Sequence, residues 1–488
     1  MKDWFKKLLS LALCLSLLSS VNSPNGFAAA VIEDTSGIDP LLKKPYLELL
    51  EAAPKLQFTS RQFDQVRNRL KNEEKAKKEG LKRRADGIEN QIRATQDDLK
   101  RLNAGASIET EAIKNQRHDL HCRIQTLQSQ LADTKITLQT GVPVEYENYN
   151  AKLDLIEKWP AAKREIAQTI ASGQAHVRKW GDAQDIGFRT IEPNQEDDIK
   201  AGQESVQQLK QLGMLPKEIE DPVVTEYVNR LAQNIARNSD LQVPLHVTIL
   251  NSKEVNAFAL PGGYLFVNRG LIEETQTEAQ LAGVIAHEIS HDVARHAHRL
   301  LKRATIASII YQTAQVAALI FTGGVAGIGT YYALQYGFQG LGLVLSLQLL
   351  GVSRDYELEA DLLGVQYLWK SGYNPEGFIQ FFDSMASKEG YVEKTSFFRT
   401  HPAFYDRIVT AYRESSFLPK QEQAVESTSE FLTVKAHLKK IAENLDKEEK
   451  DRPTLIKREL GCQETNPAKT LAAFEVSLPR MVPVPAVM

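Results

Sequence analysis

Cysteine is scarce in this chain, with three in 488 residues. Cys14 lies inside an apolar run, and Cys122 and Cys462 are far apart, so no disulfide framework is expected. An excess of either charge is also lacking. A formal net charge of -3 offers no basic surface to a polyanion. Neither a glycine-rich phosphate loop nor an RNA-reading motif occurs. Nucleic acid is therefore not an expected partner. The remaining composition is that of an ordinary globular protein, and the length allows two or three domains.

The N-terminus reads as an export signal over residues 1–30. Lys2, Lys6 and Lys7 precede an apolar run from Leu8 to Leu18, and Ala28, Ala29 and Ala30 supply small residues for cleavage. An uncleaved anchor is the alternative, although the run is short for crossing a bilayer. Cys14 follows Leu13 within the run and is a poor lipoprotein site. The expected location is the periplasm of a bacterium, with membrane association left open.

The densest chemical information is at residues 287–291, which read His-Glu-Ile-Ser-His. Thr277 followed by Gln280 reads as a capping box that opens a helix. Leu281, Val284, Ile285 and Ile289 then form an apolar stripe at helical spacing. On that helix His287 and His291 are one turn apart and share a face, so they can grip one metal ion. Glu288 lies beside them, where it can take a proton from an attacking water. Two histidines leave a catalytic zinc short of its third protein ligand. On a continuing helix His298 lies about 10 Å further along the axis, and His296 points well away from the His287–His291 face. Ala294 and Ala297 occupy the Gly and last His positions of the longer H-E-x-x-H-x-x-G-x-x-H signature. The third ligand is therefore expected from a second helix, with a carboxylate as the favoured type.

Ser353–Asp361 is the candidate second element. Glu357 and Asp361 are four apart and share a helical face, whereas Glu359 points to the other side and is expected in solvent. Glu357 would ligate the metal, and Asp361 would orient a ligand histidine. An acidic helix start without a metal role is the competing reading.

Across about residues 195–415 the chain resembles the HtpX and CAAX-prenyl-protease type of zinc metallopeptidase, the gluzincins. The resemblance rests on four motifs in order. They are Asn256-Ala-Phe-Ala-Leu-Pro-Gly-Gly263, Leu281-Ala-Gly-Val-Ile-Ala-His-Glu288, Glu357-x-x-x-Asp361, and Thr400-His-Pro402 with Arg407-Ile408. It implies one zinc per chain held by His287, His291 and Glu357. Glu288 would be general base and proton donor, and Asp361 would support a ligand histidine. His401 and Arg407 would lie near the cleft. In periplasmic relatives the T-H-P histidine can cap the metal and hold the enzyme inactive, a role open to His401. Arg407 would stabilise the developing oxyanion or tie down the His401 loop. Structural roles for both remain the alternative.

Substrate polypeptide is expected to bind as an added strand. Leu245–Leu250 and Tyr264–Val267 have strand composition. Between them Asn256, Ala257, Phe258, Ala259 and Leu260 read as an exposed edge that can pair with an extended peptide. A core strand ending in a Pro-Gly-Gly turn is the plain alternative.

The expected architecture is α+β and mostly helical. A zincin-like catalytic domain with a small sheet at 191–420 follows a long antiparallel coiled-coil hairpin at 60–140. A linker at 31–59 and a helical connector at 141–190, interrupted at Pro160, flank the hairpin. In the hairpin Leu81, Ala85, Ile88, Ile92, Thr95, Leu99 and Leu102 alternate fours and threes. Ile113, Leu120, Ile124, Leu127, Leu131 and Leu138 resume the pattern after a turn at 103–107. It reads equally as a docking arm, for a protein partner or for self-association, and as a rigid spacer. His118 and His121 are expected at its surface. A C-terminal extension at 421–488 contains a helix near Ser427–Asn444 and a mobile end from Asp451.

Residues 304–353 contain no Asp, Glu, Lys or Arg. Ala304–Thr322 is nearly long enough to cross a membrane, and Gly323, Gly324 and Gly327 offer a bend before a return helix. Gln312, Gln315, Gln335 and Gln339 weigh against a lipid-facing hairpin. Helices packed beneath the active site, or lying at a membrane surface, are expected instead.

The function expected is that of a zinc endopeptidase acting on unfolded or misassembled envelope proteins. Two rivals stand beside it. One is a chaperone or scaffold of the same fold in envelope assembly with cleavage secondary, and the other is an adaptor with a structural metal.

Overall fold

The computed structural model describes residues 34–105, 110–190, 195–211, 215–301, 354–386, 401 and 405–450. The expected export signal, the uncharged 304–353 stretch and the expected mobile end lie outside these residues, as do Thr400 and Pro402. In chain order the helices are α1 (Asp39–Leu42), α2 (Tyr46–Ala52), α3 (Ser60–Gly105), α4 (Glu111–Ile136), α5 (Val142–Ala171), α6 (Gln195–Gln211) and α7 (Pro222–Arg237). Strands β1 (His246–Leu250), β2 (Ala257–Leu260) and β3 (Tyr264–Asn268) come next. They are followed by α8 (Arg269–Glu274), α9 (Glu278–Val293), α10 (His296–Leu301), α11 (Arg354–Lys370), α12 (Gly377–Ala386), α13 (Tyr405–Phe417) and α14 (Ser429–Lys450). The class is α+β and mostly helical. Among the described residues no helix is long and apolar enough to cross a membrane.

Helix α9 is buried on nearly every side. Thr277 caps it by accepting from the Gln280 N–H at 3.3 Å. Gln280 reaches back to the Gln276 N–H, not to that of Thr277, so the expected capping box is opened by one residue. Leu281, Val284, Ile285 and Ile289 pack with residues of α7, α11, α12 and α14 in one apolar core. Helix α11 comes so close to α9 that a Cβ on Gly364 would stand 3.2 Å from the backbone of His287. A bulkier residue there would push the two helices apart.

The sheet order is β1-β3-β2, with β1 parallel and β2 antiparallel to β3. Residues 217–219 lie against the outer side of β1, where the Ile219 N–H donates to the Ile249 carbonyl. Strand β2 is the other edge. It is an edge in pairing but not in exposure: Asn256, Ala257, Phe258 and Leu260 are buried and only Ala259 is half-buried. The expected exposed stretch is thus corrected, because Phe258 and Leu260 pack with Leu209, Leu250 and Phe266 in a small second core. The turn into β3 needs Gly262 and Gly263 at φ of 81° and 84°. Both of their N–H groups donate to the Asp292 carboxylate, at 3.2 and 2.6 Å. The end of α9 and the start of β3 are thereby tied together.

Helices α3 and α4 run back along each other. Arg117 bonds Asn103 at 2.9 Å, and Lys135 pairs with Glu89 at 2.7 Å further down. Ala85, Ile88, Ile92, Leu127 and Leu131 are buried between them. His118 is exposed and His121 half-buried. Cys122 is disulfide-bonded, although its sequence distance from the other cysteines gave no such expectation. A π turn at Thr137–Gly141 leads into α5, which runs unbroken through Pro160. The expected interruption is absent. Proline costs that helix one N–H bond, but the adjacent Trp159 is fully buried and donates to the Leu50 carbonyl at 2.8 Å, which holds the turn in place. Helix α5 and the first helices form a separate core that α13 joins through Ile408 and Val409. Helix α14 packs Phe431, Val434 and Leu438 into the core around α9.

Candidate metal centre and active site

Two helices supply most of the site. His287, Glu288 and His291 project from α9, and Glu357 and Asp361 from the facing turns of α11. His287, His291, Glu357 and His401 each turn one ligand-type atom inward, all within 4.8 Å of one another. His287 Nε2 is 3.0 Å from His291 Nε2 and 3.2 Å from His401 Nδ1. The Glu357 carboxylate lies 3.5 Å from each α9 nitrogen and 2.9 Å from His401 Nδ1. A tetrahedral zinc with ligands at its usual bond lengths sets neighbouring ligand atoms about 3.3–3.6 Å apart. The cluster is close to that size, and imidazole nitrogens with one carboxylate are a donor set that zinc favours. Among the described residues Glu357 Oε1 is buried without a hydrogen-bond partner, as an oxygen kept for a cation would be. The residues therefore fit the metal that the motif implies.

Supporting contacts lie behind these atoms. Asp361 Oδ1 is 3.0 Å from His287 Nδ1. Arg407 donates to Asp361 from Nε and Nη2, each at 2.7 Å, and its Nη1 is 3.0 Å from Glu357. The guanidinium is buried over the Phe382 ring at 4.5 Å. Here Arg407 braces the two α11 carboxylates, an arrangement that neither the oxyanion role nor the loop role described. Phe378 stacks on His287 at 4.8 Å. Glu288 is buried, takes a backbone hydrogen bond from Ala259 of β2, and stands 3.4 Å from His401 Nε2.

Burial and neighbouring charge set the protonation of these groups. Burial pushes the Glu288 carboxyl above its ordinary value. Burial pulls His287 down, but Asp361 and Glu357 outweigh it and raise the imidazole to about 9. His291 is held well below the usual histidine range by burial and by its neighbouring imidazoles. Burial opposes ionisation of Glu357, yet His401 and Arg407 hold it well below the usual carboxylate range.

Two residues do not lie where the sequence reading put them. His296 was expected to point away from His291, but its Nδ1 is 2.8 Å from His291 Nδ1. The expectation assumed one continuous helix. In fact α9 ends at Val293, and Arg295 takes a φ of 53° before α10 begins. Arg295 is held there by a buried ion pair with Asp198 of α6, with Nε 2.5 Å and Nη2 2.9 Å from the carboxylate oxygens. The break swings His296 back over His291. Glu359 was expected in solvent and is buried instead, 3.2 Å from His296 and 3.0 Å from Lys179. No helix-breaking residue at 294–295 announces the reversal, so spacing alone could not have found this pair.

Comparison with known proteins agrees with the geometry. Residues 220–414 match the model of peptidase family M48. The chain is 28% identical over 228 residues to the beta-barrel assembly-enhancing protease of Yersinia pestis, covering 45% of this chain and 44% of that protein. It is 32% identical over 210 residues to the putative beta-barrel assembly-enhancing protease of Vibrio cholerae, covering 41% of each. The mitochondrial metalloendopeptidase OMA1 of Schizosaccharomyces pombe is 32% identical over 189 residues, 38% of this chain and 51% of that protein. The chain spans about half the length of the curated relatives it matches.

Proposed function

We propose that this chain, whose residues 220–414 match the model of peptidase family M48, is a zinc-dependent endopeptidase. The observation that carries the reading is the convergence of His287, His291 and Glu357 on one point with Glu288 beside it. When bound, zinc would polarise water and a peptide carbonyl near neutral pH. His287, His291 and Glu357 would hold it, and Asp361 would fix the orientation of His287. Glu288 would take the proton of the attacking water and return it to the leaving amine. Its burial favours the protonated form and so makes it a stronger base for taking that proton. The unpaired side of β2 at Ala259, its one half-buried residue, would align an extended peptide along the site.

His401 would be a resting cap. Its Nδ1 stands among the other ligand atoms, where attacking water has to enter, so peptide hydrolysis would require it to move aside. The relatives' names point to β-barrel assembly and to endopeptidase activity. The proposed substrates are accordingly misfolded or misassembled envelope polypeptides, and the proposed location is the periplasm. Helices α3 and α4 would form an antiparallel coiled coil that docks a protein partner or spaces the domain. Membrane-surface contact by residues 304–353 completes the proposal. Casein digestion with and without a chelator, beside Glu288→Gln, tests the activity. Chelator-sensitive cleavage that Glu288→Gln abolishes supports the reading. Cleavage unaffected by both removes it, and no cleavage by the zinc-supplied parent removes it and leaves the scaffold alternative.

A further inference from the structure

The two α9 histidines are supported differently. His287 Nδ1 meets a carboxylate directly in Asp361. His291 Nδ1 meets an imidazole nitrogen, His296 Nδ1, at 2.8 Å. The other nitrogen of His296 lies 3.2 Å from Glu359. The His296 ring also stacks on Tyr356, with centroids 4.3 Å apart and planes at 12°. Glu359 in turn pairs with Lys179 at 3.0 Å.

Hydrogen-bond chemistry fixes the direction of this chain. His291 Nε2 faces His287 Nε2 and Glu357, so a metal there would take the Nε2 lone pair. The proton of that imidazole must then sit on Nδ1 and be donated outward. His296 Nδ1 can accept it only with its own proton on Nε2, and Nε2 faces an acceptor, the Glu359 carboxylate. Both bonds therefore point one way, from His291 through His296 to Glu359.

We propose that His296 is a positioning residue for His291. It accepts the Nδ1–H of that imidazole, fixes its tautomer and ring orientation, and relays the hydrogen bond to Glu359. His291 thereby gains through one intervening ring the carboxylate support that His287 receives from Asp361. The αL residue Arg295 and its ion pair with Asp198 set the geometry by turning His296 back over α9. The assignment rests on the reading of His291 as a metal ligand.

The test is the zinc dissociation constant of the full chain, measured by competition with a chromophoric chelator, beside the melting temperature of the zinc-free protein. His296→Phe keeps a ring to stack on Tyr356 but cannot accept a hydrogen bond. It is expected to weaken zinc binding by about 10- to 100-fold while the zinc-free melting temperature stays near that of the parent. His296→Asn restores an acceptor and is expected to recover most of the affinity. Equal affinity in the parent and a folded His296→Phe overturns the proposal, as does a loss that His296→Asn fails to recover. Should His296→Phe not fold, Glu359→Gln decides, because it keeps size and removes the terminal charge. A several-fold weakening there supports the relay, and unchanged affinity overturns it. A parent chain that binds no zinc, or binds it as well in His291→Ala, removes the metal reading itself and is thereby distinguishable.

Discussion

Arg407 grips Asp361 with two hydrogen bonds of 2.7 Å, and the same carboxylate lies 3.0 Å from His287 Nδ1. A guanidinium on α13 thus braces the residue that orients a histidine on α9. All three groups are buried. Removing the cation leaves Asp361 and Glu357 facing each other in a dry interior. Arg407→Ala is expected to lower unfolding free energy by about 3–5 kcal/mol. Urea denaturation of the zinc-free protein measures it, and a loss within 1 kcal/mol of zero would contradict the bracing role.

His401 stands among the ligand atoms, 3.2 Å from His287 Nε2 and 2.9 Å from Glu357. A resting cap predicts that His401→Ala raises the initial rate of casein cleavage several-fold while zinc content is retained. Fluorescent casein assays beside metal analysis give both readings. A fall in rate at full zinc content would show that His401 assists the reaction instead.

Lys152 of α5 is buried, with its Nζ 5.3 Å from the centre of the Tyr46 ring. Burial lowers its ammonium from 10.5 to about 8, with Asp383 acting in opposition. Below pH 8 the folded state carries a costly buried charge. Between about pH 8 and 10.5 the folded state has lost the proton that the unfolded state still holds. Unfolding then binds a proton, so this residue's contribution to stability rises with pH across that window. Replacing it with Met removes the rise. The stability difference between Lys152→Met and parent should therefore shrink by up to about 3 kcal/mol from pH 7.5 to 10. A pH-independent difference in chemical denaturation would contradict the assignment.

The sequence made the histidine-bearing helix α9 legible because His287 and His291 repeat at helical spacing on an apolar stripe. Glu357 and Asp361 were legible for the same reason, since four residues bring both to one face of α11. Arg407 and His401 could be singled out only by resemblance, because their part in the site depends on how α13 and the 401 segment meet α9. His296 and Glu359 were missed for a definite cause. Angular arithmetic holds only while a helix continues, and the reversal at Arg295 is stabilised by Asp198, about a hundred residues earlier. Pro160 misled in the opposite direction, because the buried Trp159 anchors the turn that proline alone would weaken.

Zinc stoichiometry of the purified full chain, read by metal analysis for the parent and for His287→Ala, His291→Ala and Glu357→Ala, tests the central claim most directly. The account predicts one zinc per parent chain and loss of tight binding in each variant, with Glu288→Gln keeping the metal while losing cleavage. A parent chain without zinc, or full zinc content in the histidine variants, would contradict it.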